Sequence, residues 1–149
     1  MALNVFISGA SIGIGAALAK EFAGRGASLG LVARRRDALE ALVATLPGHH
    51  HLYAVDVTNV DAIIAAGRAF EAATGGADIV VANAGISVGM KTEHYEDLAQ
   101  LRRVFDTNVF AMASTFHPFI APMKARGRGT LVGIASVAGI RGLPGSEAY

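Results

Sequence analysis

No cysteine occurs among the 149 residues, which removes a disulfide framework, a thiolate nucleophile and any cysteine-ligated zinc or iron–sulfur centre. A reducing, cytoplasmic setting is the matching expectation. Charge is sparse and balanced: 13 basic and 12 acidic side chains leave a formal net charge of +1. That balance offers no broad positive footprint, so nucleic acid is not an expected partner. The one basic block is the short run Arg34-Arg35-Arg36. No secretory leader is expected either, because Met1-Ala2-Leu3-Asn4 carries no positive charge and the first apolar run stops at Ser8-Gly9. The longest uncharged stretch, Thr107 to Met123, contains Asn108, Ser114, Thr115, His117 and two prolines. It is poor material for a bilayer, and a buried helix of a non-membrane protein is expected there.

Apolar residues are plentiful, at 52%, and their spacing alternates between two periods. Leu3 to Ile7 is a short apolar run ending in Ser8-Gly9, followed by a glycine-rich turn and an alanine- and leucine-bearing segment, Ala16 to Ala23: strand, loop, helix. The pattern returns with strands at Ser28 to Ala33, His51 to Val57, Ala77 to Ala82 and Thr130 to Ala135. Helices are expected at Arg36 to Leu46, Asp61 to Ala73, Glu96 to Phe105 and Val109 to Lys124, the last bent or broken at Pro118 and Pro122. Near-continuous apolar runs such as Ile79-Val80-Val81 mean burial on both faces, hence parallel strands covered by helices. Right-handed crossovers then give an α/β, Rossmann-like doubly wound sheet. The length suits one domain, residues 1–149, with no repeat or linker. After the fifth strand a loop, Val137 to Glu147, leads to Ala148-Tyr149 where a further helix would start. A last strand with an open edge points to the front part of a longer domain.

Gly9-Ala10-Ser11-Ile12-Gly13-Ile14-Gly15 joins the first strand to the first helix. Glycine permits a tight turn and close backbone approach, and the N–H groups of a helix start favour a diphosphate. A tight turn without a ligand would have the same spacing, but open α/β sheets place ligands at this junction. The second strand ends at Ala33-Arg34. A carboxylate there would accept from the ribose hydroxyls of NAD; alanine cannot, whereas Arg34 and its neighbour Arg35 suit a 2′-phosphate, so NADP(H) is expected over NAD(H). A solvated helix start is the plainer alternative for these cations, although cations at a helix N-terminus oppose the macrodipole. A methyltransferase on the same kind of sheet is disfavoured by the missing acidic residue.

These residues and those that follow resemble the short-chain dehydrogenase/reductase family, and the likeness spans the whole chain. It is carried, in order, by Ser8 to Gly15, Asp56-Val57, Asn83-Ala84-Gly85, Asn108, Ser136 and Tyr149. Ser8 stands where the family usually has threonine and Ala82 where it often has asparagine. The resemblance implies that Gly9, Ser11, Ile12, Gly13, Ile14 and Gly15 hold the cofactor's diphosphate. Asp56 and Val57 would lie beside the adenine, and Asn83, Ala84 and Gly85 near the ribose. Without the family, Asp56 is a turn or N-cap residue and Asn108 a local backbone-bonding one. In the family the helix asparagine, here Asn108, offers its backbone carbonyl to a water in a proton relay. The serine, here Ser136, bonds the substrate oxygen, and the tyrosine, here Tyr149, exchanges a proton with it. The implied activity interconverts a small-molecule carbonyl and an alcohol, in a homodimer or homotetramer built partly on the Phe-rich helix.

One departure is serious: the family's lysine four residues after the tyrosine is not among these residues. A free phenol has a pKa of about 10 and is a poor base near neutrality, so the 149-residue chain by itself is expected to be catalytically incomplete. A nucleotide-sensing or structural domain without chemistry is the alternative function. His49-His50-His51 reads as a loop leading into a strand, so no metal site is expected. His94 and His117 read as structural or exposed, Arg102, Arg103 and Asp106 as a solvated helix face, and Phe105, Phe110, Met112, Phe116 and Phe119 as packing.

Overall fold

Five strands lie side by side, all parallel, in the order β3-β2-β1-β4-β5: β1 Asn4–Ser8, β2 Ser28–Ala33, β3 His51–Ala54, β4 Ile79–Ala82 and β5 Thr130–Gly133. This computed structural model describes residues 2–142, 144, 145 and 147–149; Leu143 and Ser146, in the loop expected after β5, and Met1 lie outside the described residues. Alternation along the strands builds two cores. Val5, Ile7, Leu29, Leu31 and Val81 face one side, under α1 (Gly13–Gly24) and α2 (Arg36–Val43). Phe6, Val32 and Val80 face the other, under α3 (Val60–Thr74) and α5 (Ala111–Arg126). Phe6 is fully buried and packs tilted against Phe70 and Phe119, with ring centroids 5.5 and 5.0 Å away.

Several boundaries differ from the expected ones. Helix α1 starts at Gly13 rather than Ala16, so two glycines of the loop are helical. Helix α2 ends at Val43, where Thr45 Oγ1 donates to Leu42 O and closes the turn. Strand β3 stops at Ala54, although Val55 still donates to Ala33 O. Strand β5 stops at Gly133, with Ile134 donating to Ala82 O. The two expected helices at Glu96 to Phe105 and Val109 to Lys124 are one continuous run: a 3-10 turn at Tyr95–Asp97, α4 at Leu98–Phe105, a π-helical turn at Asp106–Phe110, then α5.

Neither Pro118 nor Pro122 breaks α5. Proline removes a helix hydrogen bond, but here Pro118 is buried against Gly67 of α3, where its ring fills the space a side chain would take. Arg126, at the end of α5, donates to Glu71 of α3 at 2.8 and 3.2 Å and to Ala77 O, tying the two helices below β4. Among the described residues no helix is long and apolar enough to cross a membrane.

A Cβ at Gly67 would lie 2.6 Å from Pro118 Cγ and 3.0 Å from the Phe119 ring. Urea unfolding is expected to show Gly67→Val destabilised by about 1–3 kcal/mol through overpacking. Gly67→Ala, whose Cβ already meets the Pro118 ring, should also destabilise, but by less than Gly67→Val, with helix propensity offsetting about 0.5–1 kcal/mol. A Gly67→Val protein as stable as the parent would show that the α3–α5 contact opens freely.

Candidate active site

Strand β1 sits between β2 and β4, so the chain leaves it toward opposite sides and a crevice opens at the strands' carboxyl ends. A cleft of about 680 Å³ lies there, lined by residues that follow all five strands. Gly9, Ser11, Ile12 and Ile14 follow β1, Arg34 follows β2, and Asp56, Val57 and Thr58 follow β3. Asn83 to Ser87 follow β4, and Ser136, Gly139, Ala148 and Tyr149 follow β5. The helical run contributes Arg103, Thr107, Asn108, Val109 and Met112.

The glycine loop is shaped by contact as much as by turning. Gly9 has φ 67°, and a Cβ there would come within 2.8 Å of Ala84 Cα. Gly15 is not a lining residue; its Cβ would fall 2.2 Å from Gly9 O, so this glycine lets α1 pack onto the loop. Gly13, also outside the lining, takes φ 57° at the first position of α1. The Ile12 side chain gives α1 no cap hydrogen bond, and the first-turn N–H groups of such a helix are free for an anion.

Asn83 binds this loop to β4. Its Nδ2 donates to Ser8 O and Gly9 O, both at 3.1 Å, while the buried Ser8 hydroxyl accepts from Asn83 N and Ala84 N at 3.1 and 3.2 Å. Serine in place of threonine therefore keeps the bonding function. On the β2–β3 side, Arg34 reaches the cleft, Arg35 does not line it, and Arg36 pairs with Glu40 at 2.8 Å. Among the described residues neither Arg34 nor Arg35 is in an ion pair. Asp56 Oδ1 accepts from Thr58 N at 3.0 Å and from Thr58 Oγ1 at 2.8 Å. The Thr58 amide bond, then its hydroxyl and the Arg34 charge, hold this carboxyl below its ordinary range against some desolvation.

Asn108 lies in the π-helical turn, and both ends of its amide bind Ile86: Oδ1 accepts from Ile86 N and Nδ2 donates to Ile86 O, each at 2.8 Å. Such turns recur at functional sites. Ser136 Oγ accepts from Ala138 N at 3.2 Å, capping a 3-10 turn at Val137–Gly139 and leaving its O–H as a donor. Tyr149 shares the cleft with it and is half-exposed, at 42%. Thr58, Ile86, Ser87, Thr107, Val109 and Ile134 are cleft residues that sequence reasoning did not single out, and Met112, expected only as packing, also lines the cleft. Arg103 belongs to the cleft rather than to a purely solvated face; only Arg102 and Asp106 pair on that face, at 3.4 Å. Arg103 and Thr107 are one helical turn apart, but at i−5 and i−1 neither has an α-helical same-face spacing to Asn108, so no sequence signal marked them as cleft residues. Among the described residues no three His, Asp or Glu side chains gather as metal ligands.

A five-stranded parallel sheet with a glycine loop at its switch point defines an α/β nucleotide-binding fold. The chain belongs to the short chain dehydrogenase family, whose model matches residues 3–149. It is 38% identical to an uncharacterized oxidoreductase of Myxococcus xanthus, covering 98% of this chain and 58% of that protein. It superposes on a short-chain dehydrogenase of Streptomyces avermitilis with a TM-score of 0.93 at 32% identity, covering 100% of this chain and 55% of that one. The chain thus spans less than two thirds of the length of these relatives. Two further neighbours differ in nucleotide: an NAD+-bound xylitol dehydrogenase (TM-score 0.91, 28% identity, covering 99% of this chain and 58% of that one) and ElxO with NADP bound (0.89, 26%, covering 100% and 61%).

Asn108→Ala removes both fastenings of Ile86. The expected result is a loss of about 1–3 kcal/mol in chemical unfolding, because the Ile86 amide and carbonyl lose their partner. Unchanged stability would mean that the loop after β4 holds its place without this side chain.

Proposed function

We propose that the intact protein is an NADP(H)-linked oxidoreductase that interconverts a carbonyl and an alcohol of a small molecule. The observation that carries this reading is one cleft with two kinds of wall. On the β2–β3 side it has Arg34 after a strand ending in Ala33, where a carboxylate would favour NAD. On the β5 side it has Ser136 and Tyr149.

The residues fit a dinucleotide. Gly9 and Gly15 keep the loop backbone where a Cβ would collide, and the uncapped start of α1 offers amide donors to a diphosphate. Ser11, Ile12, Gly13 and Ile14 belong to that cradle. Arg34 would pair with a 2′-phosphate, with Arg35 adding charge; Asp56 and Val57 would flank the adenine; Asn83, Ala84 and Gly85 would flank a ribose. The nicotinamide, when bound, supplies hydride exchange. Tyr149 passes a proton to or takes one from the substrate oxygen, and the Ser136 hydroxyl donates a hydrogen bond to it. Asn108 holds the loop after β4 with its side chain, and its backbone carbonyl is assigned to a relay water. A nucleotide sensor without chemistry would have no use for Ser136 and Tyr149 on one wall.

Phe105, Val109 and Phe110 are 44%, 52% and 61% exposed around the junction of α4 and α5. This apolar patch supports the expected homodimer or homotetramer. A single domain over residues 1–149 and a cytoplasmic location complete the proposal.

Initial rates should show a higher kcat/KM with NADPH than with NADH. Arg34→Ala should lower the NADPH value roughly 10- to 100-fold, the worth of a charge-assisted bond, and leave the NADH value alone. Equal use of the two nucleotides, or an indifferent Arg34→Ala, would overturn the NADP(H) assignment.

Tyr149→Phe should lower kcat by about 10²- to 10⁴-fold. A polypeptide verified by mass to hold these 149 residues alone should bind NADPH without turnover. Robust ketone reduction by that polypeptide would refute its proposed incompleteness.

A further inference from the structure

The segment that carries Tyr149 is glycine-rich and largely exposed, with glycine at 139, 142 and 145. Such a segment has much conformational freedom to lose before a side chain on it is held at a fixed distance from a reacting atom. Among the described residues two fastenings join it to the segment that follows β4. Met90 N donates to Gly145 O at 3.0 Å. Two residues farther along both segments, Thr92 donates to Glu147 Oε2 twice, from its amide at 2.5 Å and from its hydroxyl. The Thr92 segment is itself anchored, because Lys91 N donates to Asp97 Oδ2 at 2.8 Å, just before α4.

We infer that Glu147 is a positioning residue, whose carboxylate, held by Thr92, fixes the segment bearing Tyr149 over the cleft. This rests on the proposed role of Tyr149. Glu147 is two residues from Tyr149 and is not itself among the cleft's lining residues, so it acts through the placement of the tyrosine. Both Thr92 bonds need a lone-pair acceptor and neither needs a proton on Glu147. The Thr92 hydroxyl, then its amide, hold the carboxyl below its ordinary range, with Lys91 and His94 adding smaller effects of the same sign. The carboxylate form is thus the one present near neutral pH. Glu93 also lies near Lys91 and His94, 3.7 Å from each, and does not touch Thr92's partner oxygen.

The test is steady-state kinetics of the full-length gene product with NADPH and a reducible ketone. Glu147→Ala should lower kcat roughly 10- to 100-fold, the scale of a misplaced catalytic group. The Kd for NADPH and the thermal midpoint should stay unchanged, because Glu147 is exposed and distant in sequence from the nucleotide loop. Glu147→Gln, which keeps an acceptor oxygen for Thr92, should restore most of kcat. Thr92→Val should lower kcat less than Glu147→Ala, since the amide donor remains, and the double variant should be no slower than Glu147→Ala. A Glu147→Ala enzyme within twofold of the parent kcat, while Tyr149→Phe is nearly inactive, overturns the positioning role and leaves the proposed function standing. A fully active Tyr149→Phe enzyme overturns both. A Glu147→Gln enzyme as slow as Glu147→Ala also contradicts the inference, because it would show that charge rather than the Thr92 bonds matters.

Discussion

Asn83 reaches from the end of β4 to the main-chain oxygens of Ser8 and Gly9, and the Ser8 hydroxyl in turn accepts from Asn83 N and Ala84 N. This short bracket sits where the sheet changes direction, between β1 and β4. It forces the Gly9 backbone against Ala84, and Gly15 then brings α1 against Gly9. Once those backbones touch, the start of α1 has a fixed place at the mouth of the crevice. The loops after β2 and β3 have one wall to face and the loops after β4 and β5 another. An α/β sheet without such contact would still fold, but its amide donors would not converge on one point.

The remaining cleft is built outward by the same kind of device, a side chain satisfying main-chain groups of a distant segment. Asn108 fastens Ile86, Ser136 caps the turn after β5, and Asp56 organises the turn after β3 through Thr58. Each uses a polar side chain to hold irregular backbone that has no sheet or helix partner. Few charges are needed, which agrees with a chain of low charge content and leaves Arg34 as a cation available to a ligand.

Much of this was legible in the sequence because apolar runs such as Val5-Phe6-Ile7 and Ile79-Val80-Val81 are strong local signals, and all five strands and the parallel sheet follow from them. Strand and helix ends were less legible. Gly13 and Gly15 have poor helix propensity, yet they open α1, because Gly13 takes φ 57° and a Cβ at Gly15 would collide with Gly9 O. Pro118 signals a break locally, but its packing on Gly67 overrides that signal. The π-helical turn has no sequence signature, and the Asn108 side chain's partner is Ile86, far upstream. For the cleft, residues with a chemical motif stood out, whereas Arg103 and Thr107 enter through helical geometry and carry no motif. The Thr92–Glu147 pairing joins two loops and could be seen only in three dimensions.

Titration calorimetry of the folded, full-length gene product with NADPH, run beside Gly15→Val, measures the shaped crevice most directly. Saturable heat for the parent and its loss in Gly15→Val, whose side chain would displace the Gly9 carbonyl, is the predicted result. No heat from the parent with either NADPH or NADH, or undiminished binding by Gly15→Val, would contradict a crevice formed to hold a dinucleotide.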